Sequence, residues 1–263
     1  MPEQKVSTKK RMSSSKNVLF PEEKPFLSPS DRLEQILNSP VNALNLALKG
    51  TRLEGCIQEL MEHLDEVGIC LKPYFYLSDG YGTCEGTANI GLAFWDVDQT
   101  LATIGARFLG ELYHLWDIRM VLRHEMGHAF CYSYKLYRSK EFREVFKVRG
   151  HFFNTYPIND CYKRNPQSTD FVNPCGDCYA QKHPDDDFAE TFATLLDPRT
   201  NWRRVYRNRK GAFHKLFFVE SLIKKWGKKP VLVKNDLSKI YGPVEEISSS
   251  VRTFFAGKRA DRN

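Results

Sequence analysis

Apolar side chains recur every three or four residues along much of this chain, and this spacing predicts a mainly helical protein. Helices are predicted where the pattern is regular: Leu33, Ile36 and Leu37 after Ser30-Asp31; Leu53, Ile57, Leu60, Met61 and Leu64; and residues 212–226. Two apolar runs, 70–77 and 86–95, are separated by the glycine-rich turn 78–82 and predict strands. The predicted fold class is therefore α+β, mainly helical with a small mixed sheet.

A further predicted helix carries polar residues that suit metal chemistry. It begins near Asp117, a predicted N-cap, and contains His124-Glu125-Met-Gly-His128. Histidines four residues apart lie on one face of a helix, so both imidazoles can bind one Zn²⁺. Glu125 can then take a proton from a zinc-bound water, which is the arrangement of a metalloprotease. Gly127 predicts a close approach by another segment or by substrate.

A second predicted helix supplies the acids that such a site requires. Pro184 predicts its first turn, and Asp186 and Glu190 are four residues apart, so both face one way. Catalytic zinc sites usually have three protein ligands and a water. One of the two acids is expected to bind the metal, and the other to accept the N–H of a ligand histidine. The residue pattern alone leaves the choice between them open.

The two motifs, His-Glu-Met-Gly-His and His-Pro-Asp-Asp-Asp-Phe-Ala-Glu-Thr-Phe-Ala, together resemble the gluzincins, and more closely a bacterial family of zinc-binding metallopeptidases. The resemblance covers about residues 71–226 and implies a zincin fold of gluzincin type. It implies that His124, His128 and Asp186 bind the metal. Glu190 then lies in the outer shell. The family usually has glutamate at the position of Asp186, so Glu190 remains the alternate ligand.

The resemblance also implies a role for Tyr179, seven residues before Asp186. In small gluzincins a tyrosine at this spacing lies over the metal, where its phenol can donate a hydrogen bond to the oxyanion. The predicted function is a zinc-dependent metallopeptidase, an endopeptidase with one catalytic Zn²⁺ and a protein or peptide substrate. Glu125 and Tyr179 are its predicted catalytic residues. Two alternatives remain: a zinc-binding recognition protein with slow or no turnover, and a DNA-associated protease acting on nucleoprotein.

Composition indicates the setting and the domain organisation. No run of about 18 apolar residues is present, and the N-terminus lacks the apolar segment of a secretory signal, so a cytoplasmic protein is predicted. Residues 1–28 predict a disordered basic tail, 29–245 a single metallopeptidase domain, and 246–263 a basic C-terminal tail. Within the domain, residues 90–95 are the predicted edge strand for substrate, and 149–179 an irregular wall or lid of the cleft.

Charge and cysteines indicate two further features. The net charge of +7 is distributed unevenly, at +3 in residues 1–30, −8 in 31–197 and +12 in 198–263. The basic C-terminal quarter predicts either an anionic partner or a solvated face. Of the seven cysteines, Cys161, Cys175 and Cys178 have part of the spacing of a structural zinc site. They predict a structural metal, a redox-dependent disulfide or local packing alone.

Overall fold

A computed structural model describes residues 29–158 and 161–260 of the chain. Its helices are α1 Pro29–Asn38, α2 Arg52–Glu66, α3 Gln99–Leu109, α4 Leu115–Ser133, α5 Lys140–Val145, α6 Pro184–Leu195, α7 Trp202–Val205, α8 Lys210–Trp226 and α9 Val251–Ala260. Three short strands complete an α+β fold. The predicted N-terminal tail, 1–28, lies outside the described residues. Among those residues, no helix has both the length and the apolarity that crossing a bilayer requires.

Helices α4 and α6 pack against each other at the centre of the main core. Their close contact depends on Gly127, where an added Cβ would lie 2.8 Å from Cα of Ala189. Beside this contact, the rings of Phe130 and Phe192 have centroids 5.4 Å apart. The prediction that Gly127 admits another segment is confirmed, and the segment is α6. Because the two backbones approach so closely, side chains that project from both helices can share one site.

The starts of these two helices are fixed by local hydrogen bonds. Helix α4 begins three residues earlier than predicted, with His114 as its N-cap. Asp117 is therefore not the N-cap but the third helical residue, and its Oδ2 accepts the backbone N–H of His114 at 2.8 Å. Helix α6 begins at Pro184 as predicted, after the N-cap His183, whose Nδ1 accepts the N–H of Asp185.

The sheet contains β1 Tyr74–Ser78, β2 Gly82–Thr83 and β3 Asn89–Ala93, in the order β1-β3-β2. Strand β3 runs parallel to β1 and antiparallel to β2, with Ile90 opposite both Phe75 and Thr83. The prediction that residues 90–95 form an edge strand is wrong, because β3 lies in the middle and all its residues are buried. The edge strands are β1 and β2, and β2 lies beside α4.

The C-terminal segment contributes to the core. The prediction of a basic tail at 246–263 is wrong for residues 251–260, which form α9. Val251 and Phe255 are fully buried, and the ring of Phe255 stacks on Phe108 with centroids 5.7 Å apart. The apolar side chains at positions 251, 254 and 255 give this segment a buried face despite its positive charge. The main core therefore extends to α9.

Candidate metal centre

His124, His128 and Asp186 form one buried cluster between α4 and α6. The two Nε2 atoms lie 3.0 Å apart, and Asp186 Oδ1 lies 3.7 Å from each of them. Ligands about 2.0–2.1 Å from a tetrahedral zinc ion are separated by roughly 3.3 Å, so these spacings fit one metal ion. Asp186 Oδ2 is buried without a hydrogen-bond partner, which leaves negative charge for a cation to balance.

Two carboxylates lie behind the histidines and orient their rings. Glu190 Oε1 lies 2.7 Å from His124 Nδ1, and Asp185 Oδ1 lies 2.9 Å from His128 Nδ1. His124 Nδ1 makes a hydrogen bond with Glu190, whereas His128 Nδ1 lies at ion-pair distance from Asp185 without hydrogen-bond alignment. Both Nε2 atoms face the shared centre, as in metal-binding histidines. Glu190 thus lies where the resemblance implied an outer-shell acid.

Asp185 is a carboxylate neighbour of His128 that the sequence analysis missed. Its side chain is fully buried and accepts hydrogen bonds at Oδ2 from the phenols of Tyr132 and Tyr156. The ring of Tyr156 stacks on His183 with centroids 3.8 Å apart, so the irregular segment that contains Tyr156 packs against the start of α6. Three aspartates at a helix N-terminus are explained by the helix dipole alone. The sequence did offer one indication of this role, because His128, like His124, needs a carboxylate partner for its Nδ1.

The electrostatics of the cluster favour positive charge at its centre. Burial lowers the pKa of His124, but hydrogen bonds with Asp186 and Glu190 outweigh it and raise the pKa to about 9. The pKa of His128 is also raised well above its ordinary value, because Asp185 and Asp186 oppose the effect of burial. Burial raises the pKa of Asp186, yet the two histidines hold it well below its usual range. A divalent cation between the histidines would be stabilised by the same negative charges.

Glu125 lies next to this cluster on the wall of a cleft. Its side chain is more than nine-tenths buried, with 8% of the residue exposed. Thr83 of the edge strand β2 donates a hydrogen bond to Glu125 Oε2 at 2.8 Å. Glu125 Oε1 has no hydrogen-bond partner within the described part of the chain. Thr83 was not singled out from the sequence, because a lone threonine between two turns carries no distinctive pattern.

Tyr179 lies beside His124 in the lining of the same cleft, in a single turn of 3₁₀ helix before α6. Its ring centroid is 5.5 Å from that of His124. Lys182 donates a hydrogen bond to the Tyr179 hydroxyl at 3.1 Å. The structure therefore brings Tyr179 to the cluster, and it adds a lysine that the sequence analysis did not consider.

The cleft beside the cluster has a volume of about 930 Å³. It extends from His124 and Glu125 past the N-terminal half of α4, and its far end is lined by residues of α3 and α9. One wall comes from the predicted irregular segment, through Pro174, Cys175 and Asp177. This space is large enough for several residues of an extended peptide.

The three singled-out cysteines do not form a site. All seven cysteines are free thiols in this structure, and the redox-dependent disulfide stays a prediction. Among the described residues, the one group suited to a metal ion contains His124, His128 and Asp186 and no cysteine. Cys161 and Cys175 are exposed, whereas Cys178 is buried and its Sγ faces the amide of Asn173. In this irregular segment, sequence spacing does not direct the thiols to one point.

Part of the basic C-terminal quarter is neutralised within the fold. Glu220 of α8 pairs with Arg203 at 2.6 Å and with Lys224 at 3.3 Å. Lys215 is buried and pairs with Asp187 of α6 at 2.6 Å. The pairs of Glu220 with Arg203 and of Lys215 with Asp187 connect α8 to α7 and α6. Some of the basic residues in this region therefore stabilise the packing of helices.

Comparisons of this chain with models of protein families, with curated proteins and with solved structures find no match.

Proposed function

We propose that this protein is a zinc-dependent peptidase with a zincin fold of gluzincin type. One observation carries the proposal: two histidines of α4 and Asp186 of α6 converge at one point, and each histidine has its own carboxylate behind it. A cluster that merely stabilised the fold would not need an unpartnered Asp186 oxygen at its centre. It also would not need a buried glutamate beside it on a cleft wall.

In this proposal, His124, His128 and Asp186 hold the zinc ion. Bound zinc supplies a Lewis acid that lowers the pKa of water and polarises the scissile carbonyl. Asp185 and Glu190 keep each ring in the tautomer that presents a neutral Nε2 to the ion. Asp186 is the ligand rather than Glu190, because Glu190 Oε1 lies against Nδ1 of His124, on the side away from the shared centre.

Glu125 acts as the general base. Its Oε2 accepts the hydrogen bond of Thr83, which fixes the carboxylate, and Oε1 remains available to accept a proton from the attacking water. The same carboxyl group then delivers that proton to the leaving amine as the peptide bond breaks. Its position in the wall of the cleft puts it beside the path of an extended substrate.

Tyr179 stabilises the negative charge that develops on the carbonyl oxygen. Its hydroxyl can donate a hydrogen bond while it accepts one from Lys182, whose positive charge makes the phenol a stronger donor. Tyr179 and Glu125 line the same cleft beside His124, so the base and the oxyanion donor can act on the same carbonyl group.

Digestion of a mixed peptide library by the zinc-loaded protein, followed by mass spectrometry, tests this function. We expect wild-type protein to cleave, and Glu125→Gln to bind zinc but to lose at least about 10²-fold in turnover, because an amide cannot accept the proton. Glu66→Gln, at an exposed position that ends α2, is the matched control and keeps full activity.

Equal product patterns from wild-type protein and Glu125→Gln would contradict the proposed mechanism. Zinc binding without any cleavage would favour the recognition protein instead. Cleavage that requires DNA and disappears at high salt would favour the protease of nucleoprotein.

A further inference from the structure

The cleft beside the metal centre has an apolar floor and aromatic walls. Its floor includes Ala102, Leu109 and Val121, and its walls include Tyr81, Trp95, Tyr113, Trp116 and Tyr179. A long side chain with an apolar stem buries surface against such a floor. Aromatic faces attract a cation at the end of that stem.

Two of these rings already have cationic side chains over their faces. The guanidinium of Arg199 lies 5.4 Å from the ring centroid of Trp116, and Lys182 Nζ lies 4.9 Å from that of Tyr179. The rings Tyr81 and Tyr113 stack on each other with centroids 5.9 Å apart, which makes one continuous aromatic surface. The walls are therefore suited to positive charge.

The charged groups of the cleft are mostly acidic, although the chain as a whole has a net charge of +7. Away from the metal centre, its carboxylates are Asp79, Asp96, Glu111, Asp117 and Asp177, and its cation is Lys258. Lys258 pairs with Asp79 at 2.9 Å, and Arg52 pairs with Asp96. Lys182 and Arg199, which lie over the rings of Tyr179 and Trp116, add two further cations. The five carboxylates still outnumber these four cations, so the cleft keeps a negative balance of charge.

Two titratable groups report this negative potential. Desolvation of the sulfur raises the pKa of the Cys175 thiol although the residue as a whole is exposed, and the charges of Glu190, Asp177 and Asp117 add to the increase. Burial also raises the pKa of Asp96, and Asp117 contributes to that shift in the same direction. Asp117 thus acts on groups from two different walls.

Asp117 is placed to meet a substrate side chain. It lies eight residues before Glu125 on α4, two turns away on the same face and about 12 Å along the axis. Val121 lies between them on that face and lines the cleft. Glu125 itself, more than nine-tenths buried, leaves Oε1 without a partner at the cleft. A residue near the scissile bond can therefore rest its stem on Val121 and direct its end toward Asp117.

We infer that the cleft selects peptides that carry a lysine or arginine side chain close to the scissile bond, and that Asp117 determines this preference. The inference rests on the proposed peptidase function. Acidic side chains at the same substrate position would meet like charge and would be rejected.

The test uses peptide pairs that differ by lysine against norleucine, which has a similar stem and no charge. For the wild-type protein we expect kcat/KM to favour lysine by at least about tenfold. In Asp117→Asn this ratio should fall about tenfold, while the amide oxygen still accepts the N–H of His114 and keeps the helix start. Asp98→Asn is the control, since Asp98 accepts backbone N–H groups as the N-cap of α3, does not line the cleft and should keep the wild-type ratio.

Direct binding separates this inference from the peptidase function. If wild-type protein cleaves no peptide, the proposed function fails, and calorimetry with the same pairs still tests the cleft. Tighter binding of the lysine peptide, lost in Asp117→Asn, supports the inference. Equal Kd values for both peptides, or an unchanged ratio of kcat/KM in Asp117→Asn, would overturn it.

Discussion

Helices α4 and α6 and the irregular segment before α6 both contain residues with metal-site spacing, but they differ in outcome. His124, His128 and Asp186 converge within 4.8 Å, although 58 positions separate the second histidine from the aspartate. Cys161, Cys175 and Cys178 are closer in sequence and form no such group. The difference lies in the backbone that carries them.

A helix converts sequence spacing into a fixed direction, whereas an irregular segment does not. Residues four apart on α4 share one face, and the contact at Gly127 holds that face against α6. In the segment before α6, Cys178 has a left-handed backbone with φ of 62°, which directs its side chain away from any regular repeat. Spacing alone is informative where the secondary structure is regular.

Among variants that keep His124, His128 and Asp186, those that lose a carboxylate behind a histidine should lower zinc affinity most. We expect Asp185→Asn and Glu190→Gln each to lower zinc affinity about 10–100-fold, because the histidines lose the partners that fix their tautomers. Competition with a chelating dye measures this. The control is Asp170→Asn in the irregular segment, where the carboxylate pairs with the exposed Lys147.

If either variant binds zinc as tightly as wild-type protein, the substituted carboxylate does not orient a zinc-binding histidine. A loss in Asp170→Asn as large as in the other two would show that the segment and the helices do not differ in the proposed way.

The close contact between the helices gives a smaller effect on stability. Gly127→Ala should lower the free energy of unfolding by about 1–3 kcal/mol, because its Cβ would meet backbone of Ala189. Gly55→Ala on α2 has open space around the new Cβ and should raise it by about 0.5–1 kcal/mol. Urea denaturation measures both, and equal stability of Gly127→Ala and wild-type protein would contradict the close packing.

The sequence was most informative about the helices of the site. Regular spacing predicted α2, the end of α8 and the shared face of His124 and His128, whereas the choice of Asp186 over Glu190 came from the family resemblance. Adjacent acids on α6 were harder to separate, because Asp185 also suits a helix N-terminus and only its contact with His128 reveals a second role. Long-range contacts of this kind do not follow from local patterns.

The sheet and the C-terminus show where local patterns mislead. Residues 89–93 read as a strand, but their place in the middle of the sheet depends on β2, a pair of residues too short to recognise. Residues 251–260 carry enough charge to read as a tail. Their burial depends on the aromatic rings of α3 and of the segment after β3, with which Phe255 packs.

A zinc titration of three proteins tests the central claim most directly. Wild-type protein should bind one zinc ion per chain, Asp186→Ala should lose most of that binding, and the triple variant Cys161→Ser, Cys175→Ser, Cys178→Ser should retain it. Calorimetry with elemental analysis gives both stoichiometry and affinity. Zinc binding by Asp186→Ala that equals wild type, or its loss in the triple cysteine variant, would contradict a metal centre built by α4 and α6.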